Sequence, residues 1–178
     1  EAPDGGTGKD LCARTCGLMS TGQQPASETI TEAVSEKRKR ITSHAIGGSR
    51  VVLLGNVEGE LGGAPLEDAL TLEIYSDRLL GKNVNWRGPL RTTFYASQNN
   101  ATIGVTMARR ICPIRLDAKS ERPDRRRASS FRRSKRSLLS HARSPEFVVA
   151  LLILLRAYVA AGCPDAHSSV WGSYEEWS

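Results

Sequence analysis

No apolar run in this chain is long enough to cross a bilayer. The longest, Phe147 to Leu155, is interrupted by Arg156 and falls well short of the ~20 residues that a spanning helix needs. Cysteine is scarce, with four in 178 residues, and no two are spaced C-x-x-C, so the usual zinc and dithiol signatures are missing. Cys12 and Cys16 stand four apart, on one face of any helix there. They read as small buried core residues of a reducing, cytoplasmic compartment rather than as metal ligands or a disulfide. The amino end is acidic and glycine-rich and lacks the basic and apolar regions of a secretory leader. Acidic residues are outnumbered, 19 against 25 basic, leaving a net charge of +6. That balance favours an anionic partner, nucleic acid first and a membrane surface second. The apolar share is a low 39%, and the length suits one domain with a core, or one domain and a tail.

What is present begins at once. Gly5-Gly6-Thr7-Gly8-Lys9 has the composition of a phosphate-binding loop, in which glycines let successive N–H groups turn inward and a lysine reaches the outer phosphates. The apolar stretch Leu11 to Met19 predicts a helix from residue 9 or 10, whose N-terminal end would favour the same anion. Two features depart from the pattern G-x-x-x-x-G-K-[ST]: Pro3 replaces its first glycine, and Asp10 replaces the hydroxyl that holds Mg²⁺. A carboxylate about 4 Å from a phosphate oxygen would cost on the order of 4 kcal/mol at an effective dielectric of 20, unless Asp10 itself coordinates the metal. A loop of this kind normally hangs from a buried strand, and no such strand precedes Glu1 in the sequence given.

Further along, residues 20–27 read as a loop and 28–44 as a helix capped by Ser27. Val51-Val52-Leu53-Leu54, bounded by glycines, predicts a strand buried on both faces. After a glycine-rich turn, Leu66, Leu70, Ile74 and Leu79 predict a helix over 66–80, stopped by Gly81. Thr92–Ala96 predicts a strand, and Ile111–Leu116 another that Pro113 confines to an edge or bulge. Strands alternating with helices indicate an α/β layered fold. Residues 109–143 carry 13 of the 25 Lys and Arg, with only Asp117, Glu121 and Asp124 opposing them. This stretch reads as a linker, either a solvated connector or a binder of nucleic-acid phosphates. Glu146–Ala161 predicts a buried helix ending at Gly162, followed by a tail holding Trp171, Tyr174 and Trp177.

Taken in order, several pieces resemble the AAA+-type P-loop ATPase module of phage and mobile-element primase–helicases. They are Gly5-Thr7-Gly8-Lys9; Glu36-x-Arg38-Lys39-Arg40-Ile41; Val51 to Gly59; Leu66-x-x-Ala69-Leu70-Thr71; and Tyr75-x-Asp77-Arg78-x-Leu80-Gly81. Ala96-Ser97-Gln98-Asn99-Asn100 and Ala108-Arg109-Arg110 with Ile114-Arg115-Leu116 follow. The series closes on Ile153-Leu154-x-Arg156-Ala157-Tyr158 and Trp171 to Ser178.

The resemblance implies a parallel sheet flanked by helices over 1–118, without its first strand, then a basic linker (119–145) and a C-terminal helix and tail (146–178). It implies that Gly5, Gly6, Thr7, Gly8 and Lys9 cradle ATP phosphates, and that Asn99, or else Asn100, positions the attacking water. Arg109 or Arg110 would be the arginine finger reaching a neighbouring subunit's nucleotide in a homo-oligomeric ring on DNA. The departures fall on the chemistry: Asp10 stands for Ser or Thr, Gly55 for the Mg²⁺-holding Asp, and Val105 and Thr106 for an acidic residue before the arginine pair. The expectation is an ATP- and DNA-binding replication ATPase fragment with impaired hydrolysis. The alternatives are a non-enzymatic basic DNA-binding or assembly protein, and a remnant without activity.

Overall fold

The computed structural model describes residues 1–2, 5–29, 33–57, 59–79, 81–100 and 102–164. Pro3, Ile30, Glu58, Leu80 and the aromatic tail, which enter the sequence reading, lie outside them. At the centre runs β2 (Val51–Gly55), where Val52 and Leu53 are 0% exposed. A segment with four consecutive apolar residues buries both faces when it runs inside a sheet covered by helices above and below, with strands on both edges. It has them: β1 (Ala26–Thr29) and β6 (Thr93–Ala96) pair with it in parallel on either side.

The sheet continues past β6 through single hydrogen bonds. Ala2, 2% exposed, bridges in parallel to Asn99. Its N–H donates to the Gln98 carbonyl at 3.4 Å, and its carbonyl accepts from the Asn100 N–H at 3.2 Å. On the far side the Glu1 amino group donates to the Ile114 carbonyl at 2.6 Å, and the Glu1 carbonyl accepts from the Leu116 N–H at 2.8 Å. Bonding from one residue to j and j+2 is the pattern of a parallel pair. The line across the sheet is therefore 114–116, Glu1–Ala2, β6, β2, β1. Two residues stand where a strand ahead of the glycine loop was expected to be missing, and the Pro113 segment lies beyond them without forming a regular strand.

Helices cover both faces. α1 (Lys9–Thr21) packs on the Val51/Leu53 side, and Gly17 permits the approach, since a Cβ there would meet Val51 Cγ1 at 3.2 Å and Pro25 Cδ at 3.1 Å. α2 (Val34–Gly47) and α3 (Ala64–Thr71) pack together. Val52 and Leu54 share one buried cluster with Leu66 of α3, Val57, Leu61 and Met107. Ile41 of α2, Ala69 of α3 and Tyr75 form a second. Leu61 belongs to a two-residue strand, β3 (Glu60–Leu61), whose parallel partner β7 (Thr102–Ile103) crosses from the other half of the chain.

Several boundaries differ from the sequence expectation. Residues 26–29 are a strand, so Ser27 caps no helix, and α2 begins only at Val34. Polar Ala26–Thr29 lies at an edge of the sheet and carries no apolar alternation to announce itself. The helix expected over 66–80 ends at Thr71. Tyr75–Arg78 (β4) instead pairs antiparallel with Asn85–Gly88 (β5), and Ile74 is 45% exposed. α4 (Lys135–His141) and α5 (Pro145–Ala160) follow the basic stretch. α5 forms where expected, yet no residue of it is buried: Ile153, Leu154 and Val159 are exposed, while its first turn meets α4 through Phe147 and His141, ring centres 5.2 Å apart. Among the described residues no single helix is long and apolar enough to cross a membrane, and α4 and α5 meet at a 60° bend. The cysteines are not core residues either. Cys12, Cys112 and Cys163 are exposed, and Cys16 is half-buried beside Tyr95.

A polar network ties α2 to β4. The buried Thr42 hydroxyl lies 2.6 Å from Asp77 Oδ2 and 3.2 Å from the Tyr75 hydroxyl. Burial, chiefly, pushes the Tyr75 phenol above its ordinary value of 10.0, against the Thr42 hydrogen bond. Because the folded state then holds that proton more tightly than the unfolded chain, its contribution is complete below about pH 10 and is lost as pH rises further. Replacing Thr42 by Val should cost about 1–3 kcal/mol, read as a lower urea midpoint at unchanged slope. Tyr75→Phe should flatten the alkaline loss of stability relative to the parent chain.

Candidate phosphate-binding site

The glycine run forms a tight turn at the head of α1. Gly6 and Gly8 hold φ of 76° and 96°, a region that side chains disfavour, and Gly8 is the N-cap, its carbonyl accepting from the Cys12 N–H at 2.9 Å. Ala2 fixes one end of this turn in the sheet and α1 fixes the other. The turn consequently lies at the carboxyl ends of β2 and β6, where open parallel sheets present their ligand crevices.

Ser97–Asn100 leaves β6 at the same edge. The Ser97 N–H bonds the Leu54 carbonyl at 2.9 Å, the Ser97 carbonyl receives the Val57 N–H at 3.1 Å, and Asn100 turns the chain with φ 47°. Between the two segments the Lys9 ammonium donates to Asn99 Oδ1 at 2.5 Å and lies 3.5 Å from the Thr7 hydroxyl. Residues ninety positions apart in sequence thus converge on one point. Asp10, exposed in the first turn of α1, completes this edge.

The basic stretch was expected to be a linker; part of it is docked here. Pro123 is buried in a short 3₁₀ turn, Pro123–Arg125. A Cβ on Gly6 would lie 2.7 Å from Asp124 Cα and 2.8 Å from its nitrogen, so the two backbones touch. The Arg122 guanidinium binds the Asp124 carboxylate at 3.2 and 3.3 Å, and this hydrogen-bonded pairing holds the Asp124 carboxyl below its usual range. Arg126 donates to the Pro123 carbonyl at 3.3 Å and stacks 4.6 Å from the Phe131 ring centre. Residues 122–127 hold four arginines and one carboxylate, and their backbone meets the glycine turn at Gly6. The R-P-D run announces a turn, but nothing local announces what it packs on.

Arg109 and Arg110 occupy a separate 3₁₀ turn, Ala108–Arg110, after β7. Arg109 is exposed. Arg110 folds back, its Nη1 donating to the Thr106 carbonyl.

The donor set does not fit a Mg²⁺ held by loop hydroxyl and strand carboxylate together. The loop offers the Asp10 carboxylate, and Gly55 at the end of β2 offers none. The acidic side chain on the adjoining strand, Glu28, is taken up by Arg40 at 2.6 Å, with His44 Nε2 3.5 Å from its other oxygen. Among the described residues no three His, Cys, Asp or Glu side chains gather as a metal site.

No family model, curated protein or solved structure matches this chain.

Gly6→Ala should undock the 122–127 turn, since the added carbon enters Asp124 backbone at a positive φ. Trypsin should then cut at Arg125–Arg127 several-fold faster than in the parent. Gly5→Ala, with nothing within 4 Å of its new carbon, should leave the rate nearly unchanged.

Proposed function

We propose that this chain is a nucleotide-binding module of the AAA+ type, from a replication ATPase of a phage or mobile element, that binds ATP and DNA and hydrolyses ATP weakly or not at all. The observation that carries the reading is the Lys9–Asn99 contact at the end of a parallel sheet. A cation beside a glycine turn, met by a side-chain amide from the neighbouring strand, supplies a phosphate ligand and a group able to orient water at one point. The strand line 114–116, Glu1–Ala2, β6, β2, β1 supports it, because it sets the glycine turn and Asn99 on adjacent strands. The roles follow residue by residue. Gly5, Gly6, Thr7, Gly8 and Lys9 hold the polyphosphate, Asn99 orients water, and Arg109 or Arg110 serves a neighbouring copy in a homo-oligomer. The arginines of the docked turn add positive potential on the same side.

Weak turnover follows from the metal ligands. Asp10 sets a negative charge near the phosphates, and β2 ends without a carboxylate. A second reading, a basic DNA-binding or assembly protein indifferent to ATP, draws on that same deficiency and on the 13 basic residues of 109–143.

Calorimetric titration separates the two. ATP should bind the parent, and Lys9→Ala should weaken it about 10- to 100-fold, the worth of a charge-assisted hydrogen bond. ATP that binds neither form, or both equally, overturns the nucleotide reading. The pair Asp10→Ser and Gly55→Asp should bring measurable Mg²⁺-dependent hydrolysis; a Cβ at Gly55 has room, its nearest neighbour being Ser27 Oγ at 3.7 Å. DNA affinity should fall steeply between 50 and 200 mM salt, by roughly 10³ if about six phosphates are contacted.

A further inference from the structure

In α5 the apolar side chains face outward. Val149, Leu152, Ile153, Leu154, Leu155 and Val159 are each more than half exposed. A helical turn takes 3.6 residues, so the consecutive Leu152–Leu155 alone point to all sides of the helix. A groove, or the matching helix of a second copy, covers one stripe; a helix apolar all round belongs in an apolar medium. The described fold leaves it uncovered: α5 contains no buried residue and leans on α4 at its first turn, and the two helices meet at a 60° bend. α4 in turn packs against α1, which ties this corner to the rest of the molecule.

The charge ahead of α5 selects the medium. From residue 125 to residue 143 the chain carries eight Lys and Arg and no acidic residue, and Arg132, Arg133, Lys135 and Arg136 are exposed. A basic run of this size beside an apolar helix is what an anionic lipid leaflet attracts and holds. We infer that α5 and the basic run before it form a docking surface for an anionic phospholipid membrane. Nucleic acid would satisfy the arginines and leave Leu152–Leu155 in water, whereas a leaflet takes both. The helix lies along the leaflet rather than across it. Its 16 residues rise about 24 Å, short of the ~30 Å hydrocarbon core. Glu146 and Arg156 stand about 15 Å apart along the axis, and lying along the leaflet lets both heads reach the headgroup layer, Arg156 by extending its stem. The inference does not rest on the nucleotide reading, because α5 and the phosphate loop share no residue.

The test floats the full chain with two kinds of vesicle, phosphatidylcholine alone and phosphatidylcholine with about a third phosphatidylserine. The chain should bind the anionic vesicle about 100-fold more tightly than the neutral one, or better. Arg132→Gln, Arg133→Gln, Lys135→Gln and Arg136→Gln together should weaken that binding roughly 10²- to 10³-fold. Leu152→Glu with Leu155→Glu should weaken it about 100-fold at an unchanged melt, because α5 gives the fold no buried residue. Lys9→Ala should leave it unchanged, which separates failure here from failure of the phosphate loop. Full affinity in the double Glu variant would reduce the binding to charge adsorption and overturn the inference. So would a chain that floats with neither vesicle. Light scattering then reads whether a second copy covers α5, and a duplex-DNA titration whether nucleic acid takes the basic run.

Discussion

The two hydrogen bonds that Ala2 exchanges with Gln98 and Asn100 set the position of the whole phosphate-loop edge. They anchor the chain's first residues in the sheet beside β6, so the glycine turn starts from a fixed point. α1 begins immediately after it and is clamped on the sheet through the bare Cα of Gly17. With both ends fixed, the turn can place the Lys9 ammonium against Asn99 and accept the Asp124 backbone against Gly6. Backbone pairing thus does the positioning, and the charged groups follow from it.

Much of this was legible where a signal is local. Four apolar residues between glycines made β2 readable, a glycine turn before an apolar stretch marked α1, and Thr93–Ala96 was visible from its β-branched and aromatic residues. β1 was missed because an edge strand of Ala-Ser-Glu-Thr looks like a loop. β4 was read as helix because Leu70, Ile74 and Leu79 happen to keep a helical spacing beyond Leu72. What ends the helix is pairing with Asn85–Gly88, a hairpin partner that the apolar spacing of 66–80 does not register. α5 was recognised as a helix, but its exposure depends on what surrounds it, which its own sequence does not encode.

The site divides in the same way. Gly5–Lys9 carried its own signal in glycine spacing, whereas Asn99 became a candidate only through resemblance to a family, being otherwise one of five asparagines. The docking of Pro123–Asp124 on Gly6 joins segments that are far apart in sequence. Asp10 and Gly55 were legible as departures from a pattern. The geometry adds that Glu28, the acidic side chain on the adjoining strand, is already engaged by Arg40.

That engagement has an effect on the sheet's outer margin. β1 ends the sheet on one side, and among the described residues its outer row of amides and carbonyls meets no other strand. A bare margin of this kind invites a foreign chain to zip on. Here the Arg40 guanidinium that holds Glu28 also donates to the Thr29 carbonyl at 3.0 Å, so one end of that strand is already occupied by α2. The same guanidinium that binds the β1 carboxylate thereby shortens the edge open to pairing.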